Sequence, residues 1–390
     1  MSGKTEIVAK TFYGLEKVLA SEITSLGGTG IEVLNRAVRF QGDKELIYKA
    51  NLYLRTALRI LVPVINADIR NQVDLYARVR EFSWEQYIRP GMTLAVDTFL
   101  NSSTFTHSHF VSLRTKDAIV DRIRDLTGRR PSINTSDPDL MVNVHLASNR
   151  LTVSLDTSGL SLHKRGYRLN DTGAPLNEIL AAGMIILSGW EGKTDFYDPM
   201  CGSGTLGIEA ALIARSIPPG IFRKQFGFEK SPDFDRDLWE KIFDNVMEQP
   251  WEGSIISSDI SKPAVRLAFE NAKRALVHKN IEFRGIDFRK YPKIPSGATV
   301  ILNPPYGERM AKNEIYNFYR AIGNTMKNSF SGSKVWIISS NLEALKYIGL
   351  RPAKKYKLFN GALECRYQGY EMYSGSKENK FKNSSPGSEK

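Results

Sequence analysis

The sequence predicts an α/β protein, with a helix-covered parallel sheet in its C-terminal half and smaller α+β modules before it. Three observations lead there. From Glu178 onward, short apolar stretches without polar alternation take turns with longer helix-period segments, the pattern of a parallel sheet covered on both faces. One of these stretches runs directly into a glycine turn and a helix, "DFYDPMCGSGTLGIEAALIA" over 195–214. The segment 157–177, rich in Gly, Ser, Thr and Asp, separates that half from a differently patterned one and reads as a connector.

In the first half, "EIVAKTF" alternates like a strand, and "YGLEKVLASEITSLG" has helical spacing that stops at Gly27-Gly28. "IEVLNRAVRFQG" reads as one strand, and "DKELIYKANLYLRTALRILVPV" as one helix with Asp43 as N-cap and Pro63 near its end. From Asn71 the pattern repeats in kind: a helix "VDLYARVREFSWEQYI", a strand "GMTLAVDTF", a helix "SLRTKDAIVDRIRDLTG" closed by Gly128, and a hairpin turning at Ser148-Asn149, which together suggest one or two compact α+β modules across about 1–155. In the second half, 178–374, strands are expected at "DFYDPM", "SIISSDI", "IEFRGIDF", "ATVILNPP" and "KVWIISSN", with helices from Thr205, Lys262 and Glu314. Residues 375–390 are polar and apolar-poor, and are expected to be disordered.

At 390 residues, two or three domains are expected. A net charge of +12 suits a polyanionic partner, although an enzyme that is merely basic fits as well; the parts before and after Asn170 each carry +6, so neither monopolises the charge. The two cysteines argue against a disulfide framework and fit a reducing cytoplasm, and with five scattered histidines they leave little for a metal site. No apolar run reaches the roughly 18 residues of a membrane span, and the start lacks the apolar core of a signal peptide.

The chemistry concentrates at strand ends. Asp198 ends one strand, and Gly202, Gly204 and Thr205 form the turn into the next helix, where a ligand can approach the backbone. The turn lacks both the G-x-G-x-x-G of dinucleotide sites and the GK[ST] of a P-loop, so phosphate is not the favoured ligand. Asp259 ends the next strand, where a carboxylate can accept from a ribose diol; the plainer reading is that it or Ser261 caps the helix that has Pro263 in its first turn. Asp287, after the third strand, can accept from an adenine amine or be a solvated loop acid. The stretch Asn303-Pro304-Pro305-Tyr306 then breaks a buried strand with two residues that have no N–H to give the sheet. The Asn303 amide oxygen and the Pro304 carbonyl make two acceptors for an –NH₂ group, and the Tyr306 ring offers a stacking face for a planar base.

The order Asp198-Pro-Met-Cys-Gly-Ser-Gly-Thr, Asp259, Asp287, Asn303-Pro-Pro-Tyr resembles that of the class I S-adenosylmethionine-dependent amino-methyltransferases. The junction "LSLHKRGYRLNDTGAPLNEILAAGMI" narrows the likeness to the THUMP-domain RNA guanine methyltransferases, in their single methyltransferase-domain form. The resemblance implies a ferredoxin-like subdomain over 1–60, a THUMP RNA-binding domain over 61–156 and a Rossmann-like methyltransferase domain over 178–374. It implies S-adenosylmethionine as cofactor, bound by Asp198, Gly202, Gly204, Thr205, Asp259, Asp287 and Asn303, and a flipped guanine held by Asn303, Pro304 and Tyr306. The expected reaction is methylation of a guanine 2-amino group in large-subunit (23S) ribosomal RNA, with a tRNA enzyme of the same architecture or a non-catalytic ribosome-assembly factor as alternatives. Arg122, Arg124, Arg129, Arg130, Lys164, Arg165 and Arg168 are the expected RNA contacts, each weighed against a solvated helix face.

Overall fold

The computed structural model describes residues 3–169, 176–306 and 311–373; the tail expected to be disordered lies outside them. In chain order the first half runs β1 (Thr5–Lys10), α1 (Glu16–Ser25), β2 (Thr29–Leu34), β3 (Ala37–Gly42), α2 (Lys44–Tyr53), β4 (Arg59–Asp68), α3 (Gln72–Glu81), β5 (Thr93–Asn101), α4 (Ser108–Thr127), β6 (Ser132–Ile133), β7 (Leu140–Ala147) and β8 (Arg150–Asp156). The second half continues with α5 (Glu178–Ser188), β9 (Phe196–Asp198), α6 (Thr205–Ala214), α7 (Arg236–Asp244), β10 (Ile255–Asp259), α8 (Lys262–Arg274), β11 (Ile281–Gly285), β12 (Thr299–Leu302), α9 (Lys312–Ser329), β13 (Lys334–Ser339), α10 (Leu342–Lys346), β14 (Lys354–Asn360) and β15 (Leu363–Glu371). No helix among the described residues is long and apolar enough to cross a membrane.

Two compact units result. Among the described residues, the first holds 3–12, 16–165 and 218–246, the second 13–15, 166–169, 176–217, 247–306 and 311–373. The first unit is built on an eight-stranded sheet ordered β2-β3-β1-β4-β8-β7-β5-β6. Leu19, Ile23, Leu46 and Leu52 from α1 and α2 pack on Ile7, Val38 and Phe40; Leu75, Val79, Ile119 and Ile123 from α3 and α4 pack on Leu94, Val142 and Val153. The segment 218–246 completes the first of these cores with Phe226, Phe228 and Ile242, and Tyr48 stacks on Phe228 at 4.3 Å.

Two expectations are corrected here. The helix expected over 43–64 ends at Tyr53, and Arg59–Asp68 is strand β4. The β-branched run "RILVPVIN" favours a strand, and Pro63 stands where the β4–β8 register shifts, between Pro63 and Ile65, so its missing N–H costs the ladder little. The single strand expected over 31–42 is a hairpin, β2 with β3, whose turn holds Arg36 at φ 57°. Asp43 does cap α2, accepting from the Leu46 N–H at 2.9 Å.

The second unit carries a seven-stranded sheet ordered β11-β10-β9-β12-β13-β15-β14. The first five strands are mutually parallel; β15 runs antiparallel to β13 and to β14. From β9 the chain proceeds outward through β10 and β11, then returns to the other side of β9 for β12 and β13. That reversal is the switch point at which open α/β sheets bind ligands beyond the carboxyl ends of their strands. Val300, Leu302, Val335 and Ile337 make the core beneath Tyr319, Ile322 and Met326 of α9. Helix α5 is buried nearly all round, through Ile179, Leu180, Met184 and Ile185, as its continuously apolar sequence requires.

Candidate active site

Three strand ends meet at the switch point. The turn after β9, the end of β10 at Asp259 and the residue after β12, Asn303, all line one cleft of about 490 Å³, together with Leu176, Leu267 and Pro305. The turn owes its shape to glycine. Gly204 has φ 84°, and a Cβ there would stand 2.8 Å from the Ala268 Cβ on α8, so no other residue closes this turn without moving a helix. At Gly202 a Cβ would meet nothing, which leaves its backbone open to a ligand.

Asp259 ties the site together. One of its oxygens accepts from the Gly202 N–H at 3.0 Å and the other from the Ser261 N–H at 2.9 Å. Ser261, not Asp259, caps α8, accepting from the Ala264 N–H at 3.3 Å. A carboxylate with two hydrogen bonds still has lone pairs to offer a diol. Asp198, at the end of β9, is 0% exposed, and neither of its oxygens makes a hydrogen bond within the described residues. Burial pushes its carboxyl up to about 8, with a smaller push from the Asp259 charge and partial relief from the nearby Met200 N–H. The Cys201 thiol is driven up by the same burial and is therefore a neutral group, not a nucleophile.

Asn303 sits at the cleft with its amide oxygen accepting from the Tyr306 hydroxyl at 3.1 Å. The Tyr306 hydroxyl also accepts from the Asn360 Nδ2 at 3.4 Å, and the Tyr306 carbonyl accepts from the Asn341 Nδ2 at 3.2 Å. Pro304 is buried between them. Sequence reasoning passed over Asn341 and Asn360. Asn341 had a legible signal, since it closes the apolar run "KVWIISSN" as Asn303 closes its own; Asn360 is brought in by a hairpin that local pattern did not reveal.

Thr205 lines the same cleft where it opens α6, with its hydroxyl accepting from Arg168 at 3.1 Å; the remaining expected residues are placed differently. Asp287 does not line the cleft; Arg289 grips its carboxylate and holds it below the ordinary carboxylate range. Two of the expected RNA contacts are corrected. Arg165 is 2% exposed and donates to the Leu162 and Arg55 carbonyls, so it is an internal brace and not a surface cation. Arg168 points inward as well, bonded to Glu178 at 2.8 Å and to the Leu176 carbonyl at 3.1 Å. Arg122 makes a two-pronged pair with Glu85, and Arg124 pairs with Asp121 and Asp125. Arg129, Arg130 and Lys164 are exposed.

Comparison with known proteins agrees with this geometry. The profile of the RMKL-like methyltransferase domain matches residues 165–369, that of the RlmL ferredoxin-like domain 6–61, and that of the THUMP domain 70–156. A protein of Synechocystis sp., provisionally named an RNA methyltransferase, is 35% identical over 92% of this chain and 95% of its own length. The ribosomal RNA large subunit methyltransferase K/L of Syntrophotalea carbinolica is 37% identical over 95% of this chain and 54% of its own length, so the chain spans about half of that relative. The crystal structure of a provisionally assigned methyltransferase complexed with S-adenosylhomocysteine superposes with a TM-score of 0.83 at 28% identity, covering 96% of this chain and 100% of the other.

Proposed function

This chain belongs to the RMKL-like methyltransferase family, and we propose that it transfers a methyl group from S-adenosylmethionine to the 2-amino group of a guanine in 23S ribosomal RNA. The observation that carries the reading is the convergence of the glycine turn, Asp259 and Asn303 on one cleft at the switch point. The THUMP match supports RNA as the partner, and the relatives named for the large ribosomal subunit support ribosomal RNA among RNAs.

The cleft suits such a cofactor. The open backbone at Gly202 admits a ligand against the turn, the Asp198 carboxyl, protonated by its burial, would ionise on meeting a cationic group, and the lone pairs left on Asp259 suit ribose hydroxyls. S-adenosylmethionine supplies a methyl group already activated on a positively charged sulfur. The protein's part is then to present the amine in line. The Asn303 amide oxygen and the Pro304 carbonyl accept the two amine hydrogens, which turns the nitrogen lone pair out of the ring and towards the methyl group. The Tyr306 ring gives the flipped base a face to stack on. Neither acceptor is basic enough to take a proton in advance, so the methylated nitrogen gives up its extra proton to water after the methyl–sulfur bond has broken, and the rate gain comes from orientation and from excluded water during transfer.

Two variants separate the roles. Asn303→Ala is expected to abolish transfer while leaving cofactor affinity, read by titration calorimetry, within a few fold of wild type. Asp259→Ala is expected to weaken the cofactor by about 1.5–3 kcal/mol, the scale of hydrogen bonds to a charged group. Full turnover by the first variant removes Asn303 from the reaction, and unchanged affinity in the second removes Asp259 from the cofactor site.

A further inference from the structure

The acceptor assigned to the substrate amine is itself held by a side chain. The Tyr306 hydroxyl lies 3.1 Å from the Asn303 Oδ1, and the Asn360 Nδ2 lies 3.4 Å from the same hydroxyl. A phenol oxygen that accepts from an amide nitrogen has its hydrogen left to give, and here it gives it to Asn303. Burial pushes the Tyr306 phenol well above its ordinary value, so the hydroxyl stays a donor at any working pH. An amide oxygen has two lone pairs; with one taken by Tyr306, the amide plane is fixed and the other lone pair has a set direction.

The support continues behind the ring. Asn341 gives its Nδ2 to the Tyr306 carbonyl at 3.2 Å while its Oδ1 caps α10 by accepting from the Ala344 N–H at 2.9 Å. Its backbone N–H reaches the Ser339 hydroxyl at 3.0 Å, and that hydroxyl pairs with the buried Tyr319 hydroxyl at 2.6 Å. The backbone of Tyr306 is thus anchored to the core through Asn341, and its hydroxyl is aimed from the other side by Asn360 at the end of β14.

We propose that the Tyr306 hydroxyl and Asn360 are positioning groups for the methyl transfer, Asn360 acting through the hydroxyl and the hydroxyl through the Asn303 amide. This rests on the reading that Asn303 holds the substrate amine. It adds to Tyr306 a role distinct from stacking, which the ring alone would perform.

A double-mutant cycle tests this on the full chain. The variants are Tyr306→Phe, Asn360→Ala and the pair, assayed for kcat on ribosomal RNA from cells lacking the modification, with S-adenosylhomocysteine affinity measured by calorimetry. Tyr306→Phe keeps the ring and is expected to lower kcat about tenfold, and Asn360→Ala by a smaller factor, each leaving the affinity within twofold. The pair is expected to match Tyr306→Phe alone. A merely structural loss at Asn360 would persist in the phenylalanine background, so an Asn360→Ala factor that is the same with and without the hydroxyl overturns the proposal, as does wild-type kcat in Tyr306→Phe. A wild-type protein that methylates no RNA overturns the underlying reading and this inference with it.

Discussion

A carboxyl sealed beneath the glycine turn makes Asp198 respond to pH in the opposite sense to an ion-paired acid such as Asp287 with Arg289. Its value in the folded protein, about 8, lies above the ordinary carboxyl range, so the folded state keeps a proton that the unfolded chain releases. The stability this contributes is fully present below about pH 4 and is lost as pH rises towards 8. Asp198→Asn mimics the neutral acid and escapes that loss. The melting temperature of the variant minus that of the wild type, measured without cofactor, is therefore expected to grow from pH 5 to pH 8. A difference that stays constant over that range would mean the carboxyl is ionised throughout. The identity of Asp198, Asp259 and Asn303 as strand-end residues was legible in sequence, because each terminates an apolar run. What Arg165 and Arg168 do was not: a basic residue in a polar connector looks the same whether its guanidinium meets solvent or a row of buried carbonyls. That choice is made by residues far away in the chain, such as Arg55 for Arg165 and Thr205 for Arg168.

Helix α6 shows how an element is fixed by its neighbour. Gly207 lies in its first turn, where glycine costs at most the roughly 1 kcal/mol relative to alanine that it costs in a helix interior. A Cβ at Gly207 would stand 2.2 Å from the Ser257 hydroxyl on β10, and Ser257 is completely buried. Overpacking of this kind costs about 1–3 kcal/mol, which exceeds the helix gain. Gly207→Ala is thus expected to lower the urea midpoint at unchanged slope, a net loss of about 1 kcal/mol or more; a raised midpoint would show that helix and strand are less closely packed than described. The same logic explains which elements were read correctly. The buried strands β9, β10, β12 and β13 each carry a short apolar stretch without polar alternation, and they stand where expected. Strand β4 reads as helix in sequence because its residues follow α2 with no strong breaker until Pro63, and pairing with β1 and β8 selects the extended form that its β-branched run favours. The hairpin of β14 and β15 mixes lysines and aromatics, so its alternation is weak; the β13 edge it covers decides its conformation.

At the scale of the whole molecule, the composition separates partner classes less sharply than the site does. The excess of basic residues is even along the chain, and many individual arginines sit in surface pairs, such as Arg122 with Glu85 and Arg284 with Glu282. The assignment of 218–246 to the first unit was also beyond local pattern, since nothing in its helical period says which core Phe226 and Phe228 will join. What the whole chain does predict is a reaction, because family, cleft and strand-end chemistry agree. The measurement that tests it most directly is transfer of tritiated methyl from S-adenosylmethionine to RNA pools from cells lacking this gene, followed by nucleoside mass spectrometry. Label recovered as N2-methylguanosine in large-subunit ribosomal RNA is the expected result. Label in any other nucleoside, or no label while the protein still binds S-adenosylhomocysteine, would contradict it.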